Sequence, residues 1–214
     1  MYKKDIILSH AFNRFMSDSI KTTTIDSIAN DLHMSKKTIY LLFRTKENLI
    51  VEAFRWKLDK MANYGSRVVK MEISVIDKFL KLLRIIQIEL KEMTIEGLKG
   101  TYRYKDQMND FLEAYLKGAV FDRFRVLIKC CEQEGFLKSK MDINSMMLMY
   151  WETLSSFINA RPSGQLMETT LSRPFSEFLN VQLINFFRGF LNEAGIRQFD
   201  QALSKDPILQ EYYA

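Results

Sequence analysis

Residues 24–49, TIDSIANDLHMSKKTIYLLFRTKENL, carry two apolar faces at helical spacing with a short break between them. Ile25, Ile28, Ala29 and Leu32 fall at the i, i+3, i+4, i+7 positions of one helix face. Ser35 restarts the chain as an N-cap, and Ile39, Leu42 and Phe43 supply a second buried face. Lys36, Lys37, Thr38, Tyr40 and Leu41 are left outside. Four of these five donate hydrogen bonds, and two are cations. A short helix buried on one side and presenting Lys-Lys-Thr-x-Tyr on the other has the layout of a recognition helix laid in a DNA major groove. A further helix opens at Lys46.

Working outward, the 214 residues suffice for a substantial core and suit one domain with a small appendage. Apolar residues make up 47% and charged residues 27%, which argues against disorder. Only 3 prolines and 8 glycines interrupt the chain, so long helices are favoured over short strands. No apolar run approaches the ~18 residues that cross a bilayer. The start, MYKKDIILSHAF, has no continuous apolar signal region, since Ser9 and His10 break it. The expected location is therefore the cytoplasm, with no membrane contact. Residues 1–48 hold eight basic against five acidic side chains, which is +3 of the total +5. The charge that would meet phosphate is thus concentrated at one end.

Cys130 and Cys131 are adjacent and, on a helix, point about 100° apart, so they read as core residues rather than a disulfide or metal pair. With His10 and His33 the only histidines, no four-ligand Cys/His site is available, and neither metal nor cofactor is expected. No G-x-S-x-G, P-loop or H-E-x-x-H occurs, so the sequence does not read as an enzyme.

Helical spacing continues along the chain. A first helix over 4–16 packs Ile7, Leu8, Ala11, Phe12 and Phe15 over the two-helix motif. The helix from Lys46 is predicted to run to about 64, breaking at Gly65 and Ser66. Helices are also predicted over 74–98, over 108–135 in two pieces ending at Gly135, and from Asp142 to near Pro162. The stretch 162–172 reads as a loop. Ser172 and Pro174 then open a final long helix. In that helix Phe175, Phe178, Leu179, Phe186, Phe187 and Phe190 occupy more than one stripe. A helix apolar around most of its circumference needs cover on two sides, and a second copy of the chain would supply one of them.

Residues 5–50 resemble the N-terminal domain of TetR-family transcriptional regulators. The resemblance rests on DIILSHAFNRFM, the pair Thr23-Thr24, Ile28-Ala29, the SKxTxYxxF run of 35–43, and K-E-x-L at 46–49. Ser19 and His33 depart from the pattern, standing where the family usually has glycine, so either the turns differ or these residues take a costly positive φ. The resemblance implies an all-α fold of about nine helices. It places a three-helix helix-turn-helix domain at 1–48 and a helical ligand-binding and dimerisation domain at 49–214. It implies Thr24 as the cap of the second helix, Ser35, Lys36, Lys37, Thr38 and Tyr40 at the DNA, and Lys46 as a phosphate anchor. It also implies dimerisation through the last two long helices and an effector pocket in the body. Met61, Tyr64, Tyr102, Met108, Tyr115, Met147 and Trp151 are the candidates for that pocket, and their chemistry suits an apolar or amphipathic ligand.

The function this predicts is a homodimeric repressor that binds a palindromic double-stranded operator and is released by a small molecule. The alternative is a DNA-binding architectural or partner-binding protein of the same fold without an effector, which a body packed by its own side chains would favour.

Overall fold

The computed structural model describes residues 2–94, 100–104, 106–108, 111, 115–139, 142–159 and 175–210. Among these residues the chain is all-α, with no strand. The helices are α1 (Tyr2–Ser17), α2 (Ile25–Asp31), α3 (Lys36–Phe43), α4 (Lys46–Val68) and α5 (Val75–Leu90), then α6 (Asp122–Gln133), α7 (Ile143–Asn159), α8 (Phe175–Phe190) and α9 (Glu193–Leu203). A 3-10 turn spans Tyr102–Tyr104, and a π-helical turn, Tyr115–Phe121, leads directly into α6. No helix among the described residues is long and apolar enough to cross a membrane.

The chain packs as two units. One comprises Met1–Ala62 with Glu92–Tyr115, and the other Asn63–Lys91 with Leu116–Ala214. In the first, the periodic face of α1 is buried, and Phe12 meets Phe54 of α4 edge-on with centroids 5.1 Å apart. Polar contacts fasten the rim of α1: Trp56 Nε1 donates to Asp5 at 3.1 Å, and Lys4 pairs with Glu52 at 2.6 Å.

The returning segment closes the far end of α1. Thr94 donates to the Met16 carbonyl from both its N–H (3.0 Å) and its hydroxyl (2.6 Å), satisfying one of the carbonyls orphaned at a helix C-terminus. Gly100 lies against Ile20, and a Cβ there would approach the Ile20 Cβ to 3.2 Å. Met93 and Met108 are buried in the same unit, and the Arg55 guanidinium covers the Phe111 ring at 5.1 Å.

The second unit is centred on Phe79 of α5. It stacks on Phe187 at 3.9 Å and meets Phe124 and Phe199 edge-on, so one side chain joins α5, α6, α8 and α9. Some of the polar groups buried here are bonded: Asn180 Nδ2 donates to Gln87 Oε1 and the Leu83 carbonyl, and Arg84 pairs with buried Asp206 at 2.6 Å, while Asn180 Oδ1 and Ser176 Oγ have no hydrogen-bond partner. α6 ends in a Schellman cap with Gly135 at φ 72°, where the Phe136 N–H bonds to the Cys131 carbonyl and the Gly135 N–H to that of Glu132. The predicted stop at Gly135 is thus observed. Neither cysteine is bonded to the other, and burial pushes the Cys131 thiol up to about 12, leaving it protonated.

Several boundaries differ from those the spacing predicts. α4 continues through Gly65 and Ser66, and the Arg123 side chain of α6 lies against Gly65, where a Cβ would force the guanidinium to shift. α5 stops at Leu90 rather than near 98, and the chain turns at Lys91 and Glu92 into the first unit. Leu42 is 40% exposed rather than part of the buried face. Phe187 and Phe190 are fully buried within the single chain, so they belong to its own core rather than to an open dimer surface. Phe186 stacks on Tyr150 at 4.3 Å, while Phe178 and Leu179 are half-buried. The loop at 162–172 and the side chain of Phe175 lie outside the described residues.

Candidate nucleic-acid interface

Both ends of α2 and the start of α3 are set by local hydrogen-bond devices. Thr24 caps α2 with its Oγ1, which accepts from the Ser27 N–H at 3.0 Å, while the Thr24 N–H donates to Ser27 Oγ at 3.1 Å. This reciprocal box satisfies amides that would otherwise lack partners. Buried Thr23 donates its hydroxyl to the carbonyls of Ser19 (2.9 Å) and Arg14 (3.2 Å), fixing the entry from α1.

α2 ends in a second Schellman cap, with His33 rather than glycine at φ 51°. The His33 N–H bonds to Asn30 and the Met34 N–H to Ala29. Ser19, at φ 95°, likewise takes a left-handed backbone, so both departures from glycine occupy the costly conformation. Ser35 then caps α3 by accepting from the Thr38 N–H at 3.2 Å, and its hydroxyl lies 3.0 Å from that of Thr38.

α3 buries Ile39 and Phe43 completely. At ~100° per residue the direction opposite them is occupied by Leu41, with Lys37 one turn earlier and Thr38 alongside. Tyr40 flanks this crown at 46% exposure. Lys36 is paired with Asp26 of α2 at 3.3 Å in an exposed ion pair, whereas among the described residues no ion pair engages Lys37. Lys46 opens α4 but turns its ammonium back onto the Ile20 carbonyl at 2.7 Å. Burial, opposed in part by the charge of Glu47, holds the Lys46 ammonium below the ordinary lysine value. One of the three ammonium N–H groups is thereby committed inward. A polar cluster braces the rear of the motif: Asp31 Oδ2 bonds His10 Nε2 at 2.9 Å and lies 3.6 Å from Arg14, which itself pairs with Asp18. The His10 hydrogen bond, with the charge of Arg14, lowers the Asp31 carboxyl below its ordinary value.

Residues 7–53 match the sequence profile of the tetR family of bacterial regulatory proteins. The N-terminal head belongs to the tetR family. Its helix-turn-helix is therefore a DNA-binding one, and the tetR-type head is held as described by caps at Thr24, His33 and Ser35.

Over about 85% of its length the chain is similar in fold to regulators of known structure. One is the fatty acid degradation regulator FadR from Bacillus halodurans, with 15% identity, a TM-score of 0.57, and 86% of this chain and 94% of that one covered. Another is the TetR family transcriptional regulator PfmR from Thermus thermophilus, with 16% identity, a TM-score of 0.55, and 85% and 97% covered. No curated protein matches the chain by sequence.

Apart from the tetR-type head, the second unit holds a shallow apolar crevice with no room for an enclosed water molecule, lined by Val120, Phe121, Phe124, Met147, Tyr150 and Phe186. The polar group among these side chains is the Tyr150 hydroxyl, whose pKa is raised by burial. Of the seven candidate pocket residues, Met147 lines this crevice. Met61, Met108 and Tyr115 lie in the first unit, and Tyr64 sits under the Arg67 guanidinium at 5.9 Å. The side chains of Tyr102 and Trp151 lie outside the described residues. Sequence spacing misses Phe121, Phe124 and Tyr150 as lining residues because they share the periodicity of the core around them.

Proposed function

We propose that this chain is a homodimeric transcriptional repressor that binds a palindromic operator and is released by a small apolar or amphipathic ligand. The observation that carries DNA recognition is α3. It buries Ile39 and Phe43 and turns Lys37, Thr38, Tyr40 and Leu41 outward, on a helix whose start is fixed by Ser35. DNA binding is assigned to residues 1–48, and dimerisation and ligand binding to 49–214. Thr24 and Ser35, at the two helix starts, are placed toward phosphate, with Lys36, Lys37, Thr38 and Tyr40 reaching bases and backbone. Two heads would then occupy half-sites about 34 Å apart or a multiple of it. A ligand lowers operator affinity only by binding the DNA-incompetent conformation more tightly than the competent one.

Mobility shift on DNA flanking the gene, across a salt series, tests this reading. The expected result is a discrete, salt-sensitive shift on one palindrome, weakened roughly tenfold or more by Lys37→Ala and by Tyr40→Ala. Unchanged specific binding by both variants would sink the assignment of the recognition helix.

A second reading is supported by the crevice itself. It has no room even for an enclosed water molecule, whereas ordinary ligand pockets begin at roughly 300 Å³, and aromatic side chains of the chain fill its surroundings. That favours a DNA-binding protein of the same fold that acts through partners without an effector. Thermal melting against a panel of fatty acids and their thioesters separates the two, since a specific ligand raises the midpoint with concentration.

A further inference from the structure

Leu41 is the most exposed large apolar side chain among the described residues, at 75%. A single exposed leucine is ordinary on a protein surface. Its position gives it meaning: it stands opposite the buried Ile39 and Phe43, at the crown of a helix whose other central outward residues, Lys37 and Thr38, are polar. We infer that Leu41 determines operator specificity by seating the C5-methyl group of a thymine in the major groove. The inference rests on the DNA-binding reading above and adds the base that this position selects.

The isobutyl group has no donor or acceptor, so it cannot satisfy N7, O6, N6 or N4 of a base edge. Against any of those it would cover a polar atom and leave it unpaired, which is costly. The thymine methyl is the one apolar feature that a major-groove edge displays. Leu41 therefore selects partly by attraction to thymine and partly by exclusion of the other bases.

Lys37 fixes where that thymine falls. It lies four residues before Leu41 on the same crown, and its ammonium, free of ion pairs among the described residues, suits O6 and N7 of guanine. Four residues rise ~6 Å along a helix, and successive base pairs are separated by about 3.4 Å. The thymine thus lies within about two base pairs of the guanine that Lys37 reads.

The test starts from duplexes that the full-length protein enriches from a random pool. Each thymine of the enriched half-site is then replaced in turn by deoxyuridine, which removes only the methyl group. At one thymine, next to a guanine or one base pair beyond it, the wild type should lose about fourfold in affinity, the factor one buried methyl is worth. Leu41→Ala should bind the two duplexes alike at that position, while Leu41→Met, which keeps an apolar reach, should retain the preference. Identical deoxyuridine profiles for wild type and Leu41→Ala would overturn the inference and leave the DNA-binding reading intact. Failure of the wild type to enrich any sequence would overturn the reading itself.

Discussion

At the residue scale three turn residues of the head, Ser19, His33 and Arg44, hold side chains at positive φ, where glycine is at ease. Ser19, at φ 95°, lies beyond the left-handed well that other residues tolerate, and His33, at 51°, lies at its edge. A Cβ in this region costs roughly 1–2 kcal/mol, offset in part by the extra unfolded-state entropy a glycine introduces. Ser19→Gly is therefore expected to stabilise the chain by about 1 kcal/mol, and His33→Gly by less. Urea denaturation at unchanged m-value measures both. A lower midpoint for Ser19→Gly would mean that the Lys21 N–H to Ser19 Oγ bond, 3.1 Å long, outweighs the backbone strain.

At the scale of elements, α1 and α2 are tied by charge as well as by apolar contact. The Asp31 carboxylate accepts from His10 and faces Arg14, so its folded pKa lies below the ordinary 3.8. A lowered carboxyl pKa contributes stability that is fully present above the unfolded value and is lost as pH falls through the folded one. Stability from this cluster should thus hold near neutrality and decline below about pH 4. Asp31→Asn should be less stable than wild type at pH 7, with the difference shrinking at pH 3. Denaturant midpoints of both proteins across pH 3 to 7 report it, and a constant gap would remove Asp31 from the acid response.

Elements also divide by how legible they are in the sequence. The bounds of α2 and α3, and the stop at Gly135, are readable because caps act within three or four residues of the chain. The end of α5 at Leu90 is not, since the apolar period runs on, and what stops the helix is the departure of 92–94 to meet Met16. Gly65 reads as a breaker but is an interior helix residue, and the side chain that lies against it, Arg123, is 58 positions away. In the interface, the outward positions of α3 follow from periodicity alone. That Lys36 is held by Asp26 and Lys46 by Ile20 depends on contacts no spacing rule contains. Leu42 is ambiguous for a simpler reason: an apolar residue at the margin of an eight-residue helix satisfies either face.

At the scale of the whole molecule, the unit that carries the helix-turn-helix is built from two separated stretches, Met1–Ala62 and Glu92–Tyr115. The second contributes the bond from Thr94 to Met16, the contact of Gly100 with Ile20, and buried Met93 and Met108. A fragment of residues 1–62 therefore lacks part of its own core. It is expected to melt well below the full chain and to show weaker near-ultraviolet dichroism, which calorimetry and circular dichroism measure. A fragment as stable as the intact protein would show that the returning stretch only decorates the head. The same discontinuity governs how such a protein can be recombined. A chimaera made by exchanging residues 1–48 for those of another tetR-type head keeps the host's 92–115, and the incoming segment must end its first helix with a carbonyl aimed where Met16's is and carry a side chain that fits against Gly100 where Ile20 stands. The head is thus portable only together with a second, distant piece of chain, and a hybrid cut at the visible end of the motif inherits a mismatched seam.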